Sequence, residues 1–192
     1  MSFVNKLVIV TAPSGSGKST IVKHLLKNFP FFTFSVSACT RRPRQGETNA
    51  IDYHFITVQD FEQKIKDNAF AEYEMVYEGK YYGTLKSELK HIWEQQHVPL
   101  IDIDVHGALK LKEKYKEKAL SIFIKAPSIE ELKQRLLNRN TDTLEAIAER
   151  IKKAENELLF ENKFDKILIN DNIHEACETV NTYITSFFSS QP

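Results

Sequence analysis

Phosphate chemistry is concentrated in one stretch, Ala12-Pro13-Ser14-Gly15-Ser16-Gly17-Lys18-Ser19-Thr20. Gly15 and Gly17 let backbone N–H groups approach an anion with no Cβ in the way. Lys18 carries an ammonium that can reach β- and γ-phosphates, and Ser19 offers a hydroxyl to Mg2+. Lys18, Ser19 and Thr20 open a helix, whose unpaired first N–H groups and partial positive charge attract phosphate. Ala12 stands where this pattern usually begins with glycine, which restricts the backbone there.

Four other groups could serve a second ligand or the transfer itself. Arg41 and Arg44 share a loop with Thr40, near Tyr53, and arginine forks match phosphate oxygens in bidentate geometry. The same pair could equally be a solvated basic loop. Glu72 lies in an otherwise apolar, strand-like segment; a carboxylate there can accept paired hydrogen bonds from a ligand's N–H groups or sit on a strand's surface. Asp102 and Asp104 close an apolar strand and point to one face of it. That suits a Mg2+ water shell plus a substrate contact better than a core, where unpaired carboxylates are expensive. Arg135 and Arg139 share a helix face. With Arg150 on the next helix they could close over a triphosphate and stabilise the transferring phosphoryl group, or simply form a solvated face.

The elements that must position these groups read off the apolar pattern. Leu7 to Val10 is a buried strand, and the helix after the loop has Ile21, Val22, Leu25, Leu26 and Phe29 inward. Strands are expected at 34–37, 52–56, 70–74, 80–83, 98–103, 120–124 and 167–170, with a turn at Glu78-Gly79. Helices are expected at 59–66, around Leu85 to Trp93, at 128–138, at 143–160, and from Ala176 to Phe187. The strands at 7–10, 98–103, 120–124 and 167–170 alternate with helices, as in a parallel α/β sheet. The stretch 35–96 breaks that alternation and reads as an insertion that holds the acceptor. The expected division is a nucleotide-binding core from 1–34, 97–130 and 161–192, an acceptor subdomain at 35–96, and a helical lid at 131–160.

Bulk properties narrow the class. The 192 residues carry 26 basic and 26 acidic side chains, so no global basic field points to nucleic acid. Cys39 and Cys177 have neither metal nor redox spacing, and six histidines form no ligand pair. No apolar run approaches signal-peptide or membrane-span length. These features lead us to expect a cytoplasmic protein with no membrane or nucleic-acid partner, as a monomer or homodimer.

The same residues give a family resemblance running almost end to end. The chain resembles the guanylate kinase family in Ala12 to Ser19, in Ser35-Val36-Ser37 leading to Thr40-Arg41-Arg42-Pro43-Arg44-Gln45-Gly46-Glu47, and in Asp52-Tyr53-His54-Phe55. It continues through Phe70-Ala71-Glu72, Tyr81-Tyr82-Gly83-Thr84, Ile101-Asp102-Ile103-Asp104 with Gly107, then Arg135, Arg139, Arg150, and Ile169-Asn170-Asp171. The block from Thr40 to Phe55 is highly specific to the family, whereas the phosphate loop alone is not.

The resemblance implies a P-loop nucleoside monophosphate kinase that converts ATP and GMP to ADP and GDP with Mg2+. It implies that residues 12–20 bind ATP phosphates, with Arg139 also on ATP and Asn170 near adenine. It implies that Ser19 and Asp102 serve the metal, the latter through water. Arg41, Arg44, Tyr53 and Tyr82 would hold the GMP phosphate. Glu72 would read the guanine N–H groups, with Ser37 and Thr84 near O6 and Asp104 at the base. Lys18, Arg41, Arg135, Arg139 and Arg150 would stabilise the transfer. Ala50 and Asn140 stand where the family commonly has glycine. Two rival readings use the same fold. A non-catalytic module that binds phosphorylated peptides typically loses loop residues that are intact here. A kinase for another small acceptor, such as ribose 1,5-bisphosphate, would have no use for Glu72, Ser37 and Thr84 together.

Overall fold

The computed structural model describes residues 5–138 and 143–189. In chain order its elements are β1 (Leu7–Thr11), α1 (Lys18–Asn28), β2 (Phe32–Phe34), β3 (Ala38–Cys39), β4 (His54–Phe55), α2 (Val58–Lys66), β5 (Phe70–Tyr77), β6 (Lys80–Leu85), α3 (Lys86–Glu94), β7 (Val98–Asp102), α4 (Val105–Tyr115), β8 (Ala119–Lys125), α5 (Ile129–Asn138), α6 (Leu144–Leu158), β9 (Lys166–Ile169) and α7 (Ile173–Ser189).

Five strands form one sheet in the order β2-β7-β1-β8-β9, and every pairing in it is parallel. A strand covered by helices on both faces reads as an unbroken apolar run, as β1 does. One face, carrying Val8, Val10, Leu100 and Ile122, packs on Ile21 and Leu25 of α1 and on Val180 and Ile184 of α7. The other, carrying Leu7, Ile9, Ile101 and Phe123, packs on Leu89 of α3 and on Ala108 and Leu111 of α4. The register sets Val10 of β1 beside Asp102 of β7. The ends of the central strands therefore meet at the phosphate loop, outside the carboxyl edge where α/β sheets bind ligands.

A second sheet has the order β4-β3-β6-β5, with β3 parallel to β4 and antiparallel to β6. Its hairpin, β5 to β6, turns at Glu78 and Gly79, where Gly79 takes a φ of 68°. Its small core is aromatic: Phe61 stacks on Phe70 and Tyr81, with centroids 4.3 and 5.1 Å away.

Two expectations from the sequence need correction, and one helix was not expected. The strand expected at 34–37 is two strands. Phe32–Phe34 joins the parallel sheet and Ala38–Cys39 the second, and the backbone between them changes partners: Ser35 N–H donates to Leu100 O and Ser37 O accepts from His54 N–H. Asp104 does not extend a strand. The strand ends at Asp102, and Asp104 caps α4, its Oδ1 accepting from the N–H groups of His106 (2.9 Å) and Gly107 (3.1 Å). Helix α4 itself was not read from the sequence. Its buried positions Val105, Gly107, Ala108 and Leu111 are mostly small and are interrupted by lysines, so its apolar stripe is weak. No helix among the described residues is long and apolar enough to cross a membrane.

Candidate active site

The phosphate loop takes its shape from two left-handed glycines, Gly15 at φ 97° and Gly17 at φ 87°. Gly17 is the N-cap of α1, which has no side-chain cap and no acidic residue in its first turn. The N–H groups of Lys18 and Ser19 are left to an anion, while Thr20 N–H donates to Gly17 O at 3.1 Å. Ala12 follows β1 without a positive φ, so alanine fits that position, whereas Ala50 does carry a φ of 62°. Asn140 lies outside the described residues.

A cleft of about 390 Å³ opens over this loop. It is walled by Lys18 and Ser19 on one side, by Ser37, Tyr53, Glu72 and Tyr82 of the second-sheet region on another, and by Asp102, Asp104 and Arg150. Lys18 forms an ion pair with Asp102, and its Nζ lies 3.5 Å from Ile103 O. Arg150 reaches the loop from α6, its Nη1 donating to Ser14 Oγ at 2.9 Å. Pro13, Gly15, Gly17 and Thr20 also line the cleft.

At the far end Glu72 is only 6% exposed. Its Oε1 accepts from Thr84 N–H (2.9 Å) and from Thr84 Oγ1 (2.7 Å). Burial drives its carboxyl up to about 7, against the lowering effect of the Thr84 hydroxyl bond. A Cβ at Gly107 would come within 2.8 Å of Oε2, so glycine at the start of α4 is what admits the carboxylate. Arg41 touches the cleft wall from behind. Its Nε donates to Tyr82 Oη at 3.1 Å, and its guanidinium lies 4.9 Å from the Tyr53 ring centre. The fork is held by Glu47, with Nη2 to Oε1 at 2.7 Å, and Glu47 Oε2 also accepts from Arg44 N–H at 2.7 Å. The bond from Arg41 holds the Glu47 carboxyl down at about 2. The Arg44 side chain is exposed.

Arg135 is not among the residues lining the cleft: its Nε donates to Glu131 and its Nη1 to Asn170 O, both at 2.8 Å. Asn170 in turn donates from Nδ2 to Ser16 O at 2.8 Å. Arg139 lies outside the described residues.

Sequence reasoning missed Glu47 as Arg41's partner, and it missed Lys153 and Glu157 of α6, which also line the cleft. Glu157 is 8% exposed, and burial pushes its carboxyl up. The signal was present: positions 150, 153 and 157 share one helix face.

A left-handed glycine loop at a helix start and a lysine paired with the carboxylate ending the adjacent parallel strand define a P-loop α/β fold, with one cleft that runs from the loop to the buried Glu72. The guanylate kinase family model matches residues 4–187. The chain is 43% identical over 187 residues to a guanylate kinase of Porphyromonas gingivalis, covering 97% of this chain and 100% of that protein. It is 48% identical over 172 residues to a guanylate kinase of Bacteroides fragilis, covering 89% and 84%. The fold is similar to the crystal structure of guanylate kinase from Anaplasma phagocytophilum, with a TM-score of 0.77 at 27% identity, covering 97% of this chain and 87% of that one. The chain belongs to the guanylate kinase family.

Proposed function

We propose that this cleft transfers the γ-phosphoryl group of ATP to GMP, giving ADP and GDP, and that its residues divide the work as follows. The phosphate loop from Ala12 to Thr20, with Lys18, holds the donor phosphates. Arg41, Arg44, Tyr53 and Tyr82 hold the acceptor phosphate. Glu72, Ser37, Thr84 and Asp104 read the guanine. Asn170 stands by the donor base, and Arg135, Arg139 and Arg150 belong to a lid formed by residues 131–160. That lid closes residues 35–96 and the core over both nucleotides. The setting is the cytoplasm.

The observation that carries this reading is the buried Glu72 across one cleft from the phosphate loop. A buried carboxylate rejects a ligand that cannot offer N–H donors, because it would be left unpaired. Ser19 and Asp102 fit Mg2+, since a hydroxyl and a carboxylate are hard oxygen donors. Mg2+ commonly keeps several waters and is held by one or two protein oxygens plus substrate phosphates, and these two side chains would be the protein's share. When bound, the ion neutralises charge on the phosphates. The chain's part is positioning and charge stabilisation. Lys18 follows the migrating phosphoryl oxygens, Arg150 lies within reach of the loop, and Arg41 fixes the acceptor oxygens in line. The acceptor is already ionised, so the site requires no general base.

ADP release from MgATP with GMP, AMP, UMP and ribose 1,5-bisphosphate in parallel tests the assignment. Turnover with GMP alone is expected. Turnover with another acceptor would retain the kinase and reject the base site, and GMP binding with no turnover would favour a binding module. Glu47→Gln is expected to raise KM for GMP about tenfold, because Arg41 loses the charged partner that holds its fork in place. KM for ATP should stay within about twofold. Equal changes in both constants would show that Glu47 serves the fold and not the acceptor site.

A further inference from the structure

Asn170 follows the last strand of the parallel sheet and is 5% exposed. Its side chain is committed to the phosphate loop: Nδ2 donates to Ser16 O at 2.8 Å in a buried bond across 154 positions of sequence. The contact is tight, since a Cβ at Gly17 would collide with the Asn170 amide. Asn170 is itself fixed on both sides of its backbone. Its N–H donates to Lys125 O at 2.8 Å. Its carbonyl accepts from Arg135 Nη1 at 2.8 Å, while Arg135 Nη2 lies 3.4 Å from Asp171 O and its Nε is tied to Glu131.

The consequence follows from one peptide plane. The carbonyl of Ser16 and the N–H of Gly17 belong to the same trans peptide, so they point in opposite directions. An anion-binding loop needs its N–H groups facing inward and its carbonyls turned away and paired elsewhere. Holding Ser16 O outward against Asn170 therefore aims Gly17 N–H into the loop. Glycine at 17 leaves this peptide free to flip, because glycine populates positive and negative φ about equally. A side-chain donor at Ser16 O removes that freedom before the nucleotide arrives.

We propose that Asn170 is a positioning residue of the phosphate loop: it locks the Ser16–Gly17 peptide in the anion-binding orientation, and Arg135 on α5 sets Asn170 in place to do so. This rests on the reading of the loop as the donor-phosphate site and goes beyond it. The loop's preorganisation depends on an amide from the opposite end of the chain, and α5 is wired to the loop through it.

The test compares Asn170→Asp, which keeps the volume but loses the donor, with Asn170→Ala, which loses both. MgADP affinity by calorimetry, amide hydrogen exchange across residues 15–19, and KM for ATP and GMP are measured on the full chain. Both variants are expected to bind MgADP about tenfold more weakly or worse, with faster exchange in the loop. KM for ATP should rise while KM for GMP holds. A merely space-filling asparagine predicts that Asn170→Asp keeps wild-type exchange in the nucleotide-free loop, whatever its added charge does to MgADP affinity, and that result would overturn the proposal. So would equal losses in GMP and MgADP binding. If Asn170→Ala does not fold, Asn170→Asp decides alone. MgADP binding and exchange need no acceptor, so they remain informative if the wild-type chain fails to turn over GMP, an outcome that would sink the kinase assignment instead.

Discussion

Lys18→Ala is expected to lower kcat about 1,000-fold while leaving GMP affinity within about twofold. In this structure the ammonium is paired with Asp102 and lies 3.5 Å from Ile103 O. Donor phosphates must draw it from that carboxylate, so its pull on the nucleotide is partly offset in the ground state. The offset shrinks as negative charge spreads over the phosphoryl oxygens during transfer, so the loss should fall more on kcat than on KM. Lys18→Arg should not rescue, because a planar fork cannot replace a compact point charge in a loop closed around phosphate. The acceptor's polar groups are distinct. Glu72 and Thr84 pair with each other, and Arg41 with Glu47 and Tyr82, all in the second-sheet region. A calorimetric GMP titration of Lys18→Ala should therefore match the wild type. Loss of GMP binding would show that the two sites are not separate.

Why Lys18 was legible in the sequence and Glu47 was not is a matter of range. The phosphate loop is local: strand, glycines, lysine and helix start are contiguous, so their spacing alone dictates the geometry. The alternation of buried strands and helices likewise exposed the parallel core, since strands buried on both faces need continuous apolar runs. Contacts made across the fold leave weaker marks. Glu47 is six positions from Arg41 in a loop with no periodicity to read, and only the folded turn brings the carboxylate onto the fork. Asn170 and Ser16 are at opposite ends of the chain, and no pattern links them. Helix α4 was hidden because small residues and lysines dilute its apolar face, even though Asp104 ahead of Val105 is a good cap. The segment 35–37 misled because its alternation is real, but it arises where the chain passes from one sheet to the other. Ser35 and Ser37 are buried there because their backbones join the two sheets, Ser35 N–H donating to Leu100 O and Ser37 O accepting from His54 N–H.

The second large effect is at the base. Glu72→Gln is expected to lower kcat/KM for GMP about 100-fold or more and to erode selectivity against AMP. It should also remove a pH dependence. In the unliganded chain burial holds the Glu72 carboxyl at about 7, with Asp104 raising it further and the Thr84 bonds and Lys110 opposing. Guanine offers two N–H donors, which require the ionised form. Below pH 7 the site must lose a proton before it can bind, and KM for GMP should fall as pH rises from about 6 to 8. Glutamine keeps the shape but supplies one acceptor and presents an N–H where the second is needed. Its KM should be high and flat across that range.

Stability should move the other way. The native carboxyl holds its proton more tightly than the unfolded one, so the contribution of Glu72 to stability is fully present below pH 4.5 and is lost as pH climbs to about 7. The span from 4.5 to about 7 corresponds to about 3 kcal/mol at the limit. Glu72→Gln has no such loss and should melt above the wild type at pH 8 while turning over GMP far more slowly. A variant that is less stable at pH 8, or that keeps its GMP-over-AMP preference, would take Glu72 out of the base site. The expected pattern would instead mark the carboxylate as a charge that the fold tolerates at a cost, because only its ionised form reads guanine.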